Sequence, residues 1–259
     1  MARSKNSEKK PSGEKAPTQD QLIAQALVQD IMDWKIPPGT WIRERAVAER
    51  FNVSHAPVRE AFKQLTNIGL VEVTPWRGAR VIEIDRHKTT EVLELWKAMF
   101  GVVCRLAADA MTEEDGKELL RRLEEYKAIV RKTGKTFEHL DVANRIGSFI
   151  AWRCEGALAR EMLDRLALLA RWQHHVISDK FGEDLPKEPA LRSAEIYEEL
   201  CLHIVRRDAD KADESARALI GNLQTHFADV LEDYLAKAEA EKNAQQTTRS
   251  RRKSGDQPL

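Results

Sequence analysis

Ala48-Glu49-Arg50-Phe51-Asn52-Val53-Ser54-His55-Ala56-Pro57-Val58-Arg59-Glu60-Ala61 is the stretch that decides how the N-terminal part of the chain is read. Ser54 follows a tight Asn52-Val53 link and offers the hydroxyl of a helix N-cap. Pro57 falls in the first turn behind it, where a missing N–H does no harm. Val58, Ala61, Phe62, Leu65 and Ile68 recur at helical spacing as an inner face, and Gly69 closes the helix. Towards the N-terminus, Val47, Ala48 and Phe51 share one face of a short helix from about Glu44. Pro37-Pro38-Gly39 separates it from an earlier helix. That helix opens with the capping box Thr18-Gln19-Asp20-Gln21 and carries Leu22, Ile23, Ala26, Leu27 and Ile31. Towards the C-terminus, Val71–Thr74 and Arg80–Ile84 read as two strands joined by the turn Pro75-Trp76-Arg77-Gly78. Three helices followed by a β-hairpin with a basic, glycine-containing tip predict a winged helix-turn-helix over residues 18–84.

From Arg86 onward the pattern is helical, with segments at about 86–111, 113–132, 135–153, 158–180, 190–207 and 209–240. Short breaks make neighbours antiparallel, so residues 86–240 are expected to form an all-α bundle of about six helices. The expected fold class is thus mainly α, in two domains, which suits a chain of 259 residues. Residues 1–17 are basic and poor in large apolar groups, and 241–259 read alike; both are expected to be disordered arms. Lys plus Arg equals Asp plus Glu at 42 each, so the segments between these basic ends are acidic on balance, and no global basicity points to nucleic acid.

Cys104, Cys154 and Cys201 are far apart and form no CxxC pair, so buried inert thiols are expected rather than disulfides or a thiolate zinc site. The N-terminus lacks the apolar core of a secretory signal, and no run of about 18 apolar residues exists. A cytoplasmic protein without membrane contact is expected.

Ile36-Pro37-Pro38-Gly39, Arg43-Glu44-Arg45, the stretch from Ala48 to Ala61, Leu65, Gly69-Leu70-Val71 and Pro75-Trp76-Arg77-Gly78 together resemble the GntR family of bacterial regulators. Arg105-Leu106-Ala107-Ala108, Asp141 and Arg207-Asp208 extend the resemblance to the FCD subgroup. The resemblance implies a homodimeric transcription regulator, commonly a repressor, bound to a pseudo-palindromic operator in double-stranded DNA and responsive to a small organic acid.

In such a motif the second helix enters the major groove, N-terminal residues first. Ser54, His55, Ala56 and Arg59 occupy that leading turn. Arg59 is the candidate for a bidentate contact to guanine. Arg45 matches a family DNA contact; the alternative is an i,i+4 pair with Glu49, and for Arg59 a solvated face beside Glu60. Gly78 is expected to let the wing backbone approach the minor groove, with Arg77 supplying charge. His55-Ala56 stand where the family usually has Arg-Thr, which predicts a different operator and tighter binding in mild acid.

The FCD resemblance implies a divalent metal held by one aspartate and three histidines. Asp141 matches the aspartate, but Arg145, Tyr197 and Leu219 stand at the histidine positions, so no metal or other cofactor is expected. His203 with His226, or the adjacent His174-His175, would supply a shifted site only with a displaced helix boundary or an awkward geometry. Arg145 is instead expected to hold an effector carboxylate and Tyr197 to donate a hydrogen bond; the alternative is an Asp141–Arg145 pair that binds nothing. Trp96 and Phe100 replace the usual Arg and Glu of the first bundle helix. With Phe149 and Trp152 they predict a cavity for an aromatic or hydrophobic acid. The competing reading of each aromatic is core packing, and an empty pocket would leave a constitutive regulator. No phosphate loop, GxSxG, HExxH or paired ExxH motif occurs, so an enzyme is not expected. The long helical segment with its acidic balance argues against an architectural DNA binder.

Overall fold

The structure, a computed structural model, describes residues 16–132, 136–179 and 187–254, and the side chains of these except 136–141, 175–179, 187–189, 226 and 241–254. The described chain divides after Ile82 into two compact units. The first holds α1 (Gln19–Met32), β1 (Trp41–Ile42), α2 (Glu44–Phe51), α3 (His55–Ile68), β2 (Val71–Thr74) and β3 (Gly78–Val81). The second holds α4 (Arg86–Ala110), α5 (Glu113–Lys132), α6 (Thr136–Arg153), α7 (Ala157–Asp179), α8 (Lys187–Val205) and α9 (Ala209–Ser254).

In the first unit α1 begins at the expected box, with the Thr18 N–H donating to Gln21 Oε1 at 2.9 Å. Its stripe Ile23, Ala24, Leu27 and Ile31 is buried against Val58, Ala61, Phe62 and Leu65 of α3, all at most 4% exposed. Gln64 Nε2 on α3 also donates to Asp20 Oδ2 on α1, at 2.7 Å. Asp30, buried on α1, pairs with Arg50 of α2. Asn52 (φ 52°) and Gly69 (φ 92°) end α2 and α3 in the left-handed conformation, which asparagine and glycine adopt at least cost.

The wing differs from its sequence reading in two ways. It has three strands in the order β1-β3-β2, all antiparallel, because Trp41-Ile42 pairs with Arg80-Ala79. Two residues between turns carry too little periodicity to announce a strand. β3 also starts at Gly78, paired with Thr74, and ends at Val81, so the turn is Pro75-Trp76-Arg77 and Gly78 lies inside the ladder. There Gly78 is buried at φ +100°, and a Cβ on it would sit 2.3 Å from the Ile42 carbonyl oxygen. Its lack of a side chain serves the β1–β3 contact.

The second unit is a bundle with α4 at its centre. Phe100, Val103, Cys104, Ala107 and Ala108 form its buried stripe, packed with Leu119 and Leu123 of α5, Ile146 and Ile150 of α6, Leu200 and Cys201 of α8, and Ala212 and Ala216 of α9. The three cysteines are free and buried. Gly101 lets α4 and α9 touch: a Cβ there would lie 1.9 Å from Asp213 Oδ1. Arg207, itself left-handed at φ 58°, closes α4 by donating to the carbonyls of Asp109 (2.9 Å) and Met111 (3.0 Å). Asp208 starts α9, its Oδ1 accepting from the Lys211 N–H. α5 opens with a second box, in which the Thr112 N–H and hydroxyl donate to Asp115 Oδ2 at 3.1 and 2.7 Å. The expected helices are found within a few residues, with two changes. α8 starts at Lys187, placing Pro189 in its first turn. α9 runs to Ser254, past residue 241, where a disordered tail was expected; Ala, Lys, Glu and Gln in that stretch are strong helix formers and propagate an existing helix. The expected arm at 1–17 lies outside the described residues except for its last two.

Two outcomes follow for stability. Gly78→Ala forces a Cβ into the β1 backbone and is expected to destabilise the chain by about 1–3 kcal/mol in urea titration; an unchanged midpoint contradicts this packing. The Asp115 carboxyl is held below its ordinary value, first by the Thr112 hydroxyl and also by Arg153. A depressed folded pKa contributes stability above the unfolded value that is lost as pH falls through the folded one. Asp115→Asn should therefore lower the melting temperature at neutral pH, and the gap to the parent should narrow below about pH 4.

Candidate functional site

α3 buries Val58, Ala61, Phe62 and Leu65, and helical geometry then turns Ser54, His55, Ala56 and Arg59 to solvent. The Ser54 hydroxyl makes no capping bond, so it is available to an incoming acceptor. Arg59 Nε donates to Glu44 Oε2 at 2.9 Å, and His55 Nδ1 lies 3.7 Å from the same oxygen. Arg45, beside Glu44 at the start of α2, pairs with Glu49 at 2.8 Å as the i,i+4 alternative required. Glu60 pairs with Lys63, so it is Glu44 that orients Arg59. All these pairs are solvent-facing and screened, and they exchange readily for a stronger anion.

At the wing tip Arg77 is exposed and its guanidinium stands 5.4 Å from the centre of the Trp41 ring. Trp76, in a left-handed turn position at φ 66°, is fully exposed at 105%. Sequence reasoning placed Trp76 only in a turn and gave Glu44 no role in orienting Arg59. The signal for Trp76 was a large aromatic in a three-residue turn, where no strand neighbour can cover it.

The structure separates the residues expected to hold an effector. Phe100 and Tyr197 meet in the core around Gly147, where an added Cβ would lie 3.8 Å from Phe100 Cε2 and 3.9 Å from Tyr197 Oη. Tyr197 stacks edge-on with Tyr126 (5.3 Å) and its hydroxyl donates to the Ala143 carbonyl at 3.0 Å. Burial pushes the phenol well above its ordinary pKa, so it stays a neutral donor. Trp96 packs against the same core.

Arg145 is exposed and lies off the buried stripe of α6, which is Val142, Ile146 and Ile150. Arg145 and Phe149 instead line a cavity of about 520 Å³ together with Arg122, Arg153 and Arg171. The Asp141 side chain lies outside the described residues. The family's metal set does not fit here: Arg145 points away from the core, the Tyr197 hydroxyl is committed to a carbonyl, and Leu219 is apolar and buried. Among the described residues no group of three or more His, Cys, Asp or Glu is placed to hold a metal ion; the side chains of His175 and His226 are not among them.

Residues 19–81 match the family model of bacterial regulatory proteins, gntR family. The chain is 38% identical over 128 residues to the HTH-type transcriptional repressor RspR of Escherichia coli, covering 48% of this chain and 56% of that protein. It thus spans about half the length of the curated relatives it matches. Among solved structures, McbR/YncC of E. coli superposes with a TM-score of 0.63 at 19% identity, over 85% of this chain and 100% of that one. Lar of Listeria monocytogenes superposes with a TM-score of 0.52 at 18% identity, over 82% and 98%. These superpositions extend the shared fold across both units. Residues 19–81, within the first unit, are thus similar to the gntR family of bacterial regulatory proteins.

Proposed function

We propose that this chain is a non-enzymatic transcription regulator, most naturally a repressor, that binds a pseudo-palindromic operator as a homodimer. The observation that carries the reading is the leading turn of α3, held from behind by its buried stripe and left exposed in front by the described residues. Ser54, His55, Ala56 and Arg59 enter the major groove; Arg59 exchanges Glu44 for guanine O6 and N7. Arg45 exchanges Glu49 for a phosphate. Arg77 supplies charge at the wing, and Trp76 lies against the minor groove, where apolar side chains act as wedges. The repressor relative supports the direction of control. No described helix is long and apolar enough to cross a membrane, and a cytoplasmic location goes with this function.

The second unit acts as the sensing and dimerising FCD-like domain. Its effector is an aromatic or hydrophobic organic acid held without metal, and Arg145, Tyr197 and Leu219 at the histidine positions support that reading. Ligand would bias the bundle between arrangements that set the spacing of the two recognition helices.

Selection of duplexes from a random library by the full chain tests the reading. The expected product is two inverted half-sites about 10 base pairs apart, one helical turn. Arg59→Ala should flatten preference at one base pair by about 1–3 kcal/mol, whereas Arg77→Ala should weaken all duplexes alike and reduce the salt slope by about one. Trp76→Ala should weaken binding with the salt slope unchanged. Enrichment of no sequence at all would overturn the assignment.

A further inference from the structure

The wing tip holds one candidate DNA contact differently from the others. Arg45 and Arg59 are each held by a carboxylate, Glu49 at 2.8 Å and Glu44 at 2.9 Å. An arginine held that way has its charge compensated, and it must give up the carboxylate before it meets a phosphate. Arg77 is exposed and, among the described residues, pairs with no carboxylate. Its guanidinium lies 5.4 Å from the centre of the Trp41 ring, inside the range of about 6 Å over which a cation is attracted to an aromatic face.

The sheet brings that ring to Arg77. Trp41 stands directly opposite Arg80, and Arg80 opposite Glu72, so the three share one face. The next row, Ile42 and Ala79, is buried at 7% and 0%, so the row of Trp41 is the solvent side. A tryptophan there, 37% exposed on a two-residue edge strand, is an unusual choice, since edges are commonly protected by charged side chains. Arg80, its neighbour on that face, is tied back to the Gly39 carbonyl by an Nε bond of 3.0 Å. Arg77 closes its own turn by donating its N–H to the Thr74 carbonyl at 3.1 Å. The missing Cβ of Gly78 then lets this turn sit close to β1, within reach of Trp41.

We infer that Trp41 is a positioning residue of the DNA surface: its ring holds the Arg77 guanidinium at the wing tip for a backbone phosphate. An aromatic ring attracts a guanidinium without neutralising its charge, and stacking leaves the N–H donors free for oxygen acceptors. A carboxylate takes up those donors themselves. Arg77 therefore meets a phosphate without an exchange, where Arg45 and Arg59 must make one. Trp41 acts through Arg77 and need not touch DNA itself. The inference rests on reading the first unit as the DNA-binding unit, and it gives the two-residue strand β1 a part in that function.

Titration of the full chain with a random-sequence duplex at several salt concentrations tests it and needs no operator. Arg77→Ala is expected to lower the salt slope by about one. Trp41→Ala removes no charge, so by itself it cannot change the number of phosphates neutralised. It is nevertheless expected to lower the slope by a measurable part of the same step and to weaken binding severalfold. The Trp41→Ala/Arg77→Ala double variant should bind no more weakly than Arg77→Ala. Trp41→Phe, which keeps a ring, should restore the slope, and Trp41→Leu, which keeps only apolar cover, should not. Comparison of these last two separates positioning from a loss of strand packing. A parent slope in Trp41→Ala, additive losses in the double variant, or full restoration by leucine overturns the inference. So does a changed oligomeric state of Trp41→Ala, which would make this face a protein contact. Absence of duplex binding by the parent chain removes the DNA-binding reading and this inference with it, whereas an unaltered slope removes the inference alone.

Discussion

Everything the first unit presents depends on one constraint, the burial of Val58, Ala61, Phe62 and Leu65 along a single stripe of α3. Once that stripe is locked against Ile23, Leu27 and Ile31, the helix cannot rotate about its axis. A rotation of one residue, about 100°, would put Arg59 into the core and Val58 into water. The side chains that face outward are therefore chosen by the ones that face inward. The Gln64–Asp20 bond and the asparagine and glycine caps hold the ends of the same arrangement.

Glu44 adds a second level of order. A single carboxylate at the start of α2 gathers Arg59 and His55 from α3. Its charge offsets the positive charge gathered on that face. It also holds Arg59 in one direction. The wing is organised by a similar economy of space: the β1–β3 contact closes only because Gly78 has no Cβ, and this frees the three-residue tip to carry an exposed tryptophan and an arginine.

In the second unit the stripe Val142, Ile146 and Ile150 plays the part that the α3 stripe plays in the first. It turns Arg145 outward and leaves Gly147, Tyr197 and Phe100 to fill the space inside. An apolar interior and an arginine-lined exterior basin then go together, since the aromatic side chains near the centre are used for packing and Phe149 is used to support guanidiniums. Tyr197 satisfies its own hydroxyl on a backbone carbonyl, which suits a residue of the core better than a ligand of a metal.

Local chemistry was enough to determine the helices and the β2–β3 hairpin, but not the two-residue β1. Periodicity, capping residues and turn residues act over three to seven positions, and they marked the helices of both units, the Thr18 box, the Ser54 start and the Gly69 stop without reference to any distant contact. The exposure of Ser54, His55, Ala56 and Arg59 was legible for the same reason, because the apolar stripe of α3 is unambiguous. Arg145 was not legible: Val142, Ile146 and Ile150 sit among Ala143, Phe149 and Trp152, and such a wide apolar arc admits two rotations of α6. Only packing against α4 and α5 chose between them. Pairing across long separations was also hidden, as with Glu44 and Arg59, Ile42 and Gly78, or Arg207 and the end of α4, since two residues far apart in the chain carry no mark of each other until the fold brings them together.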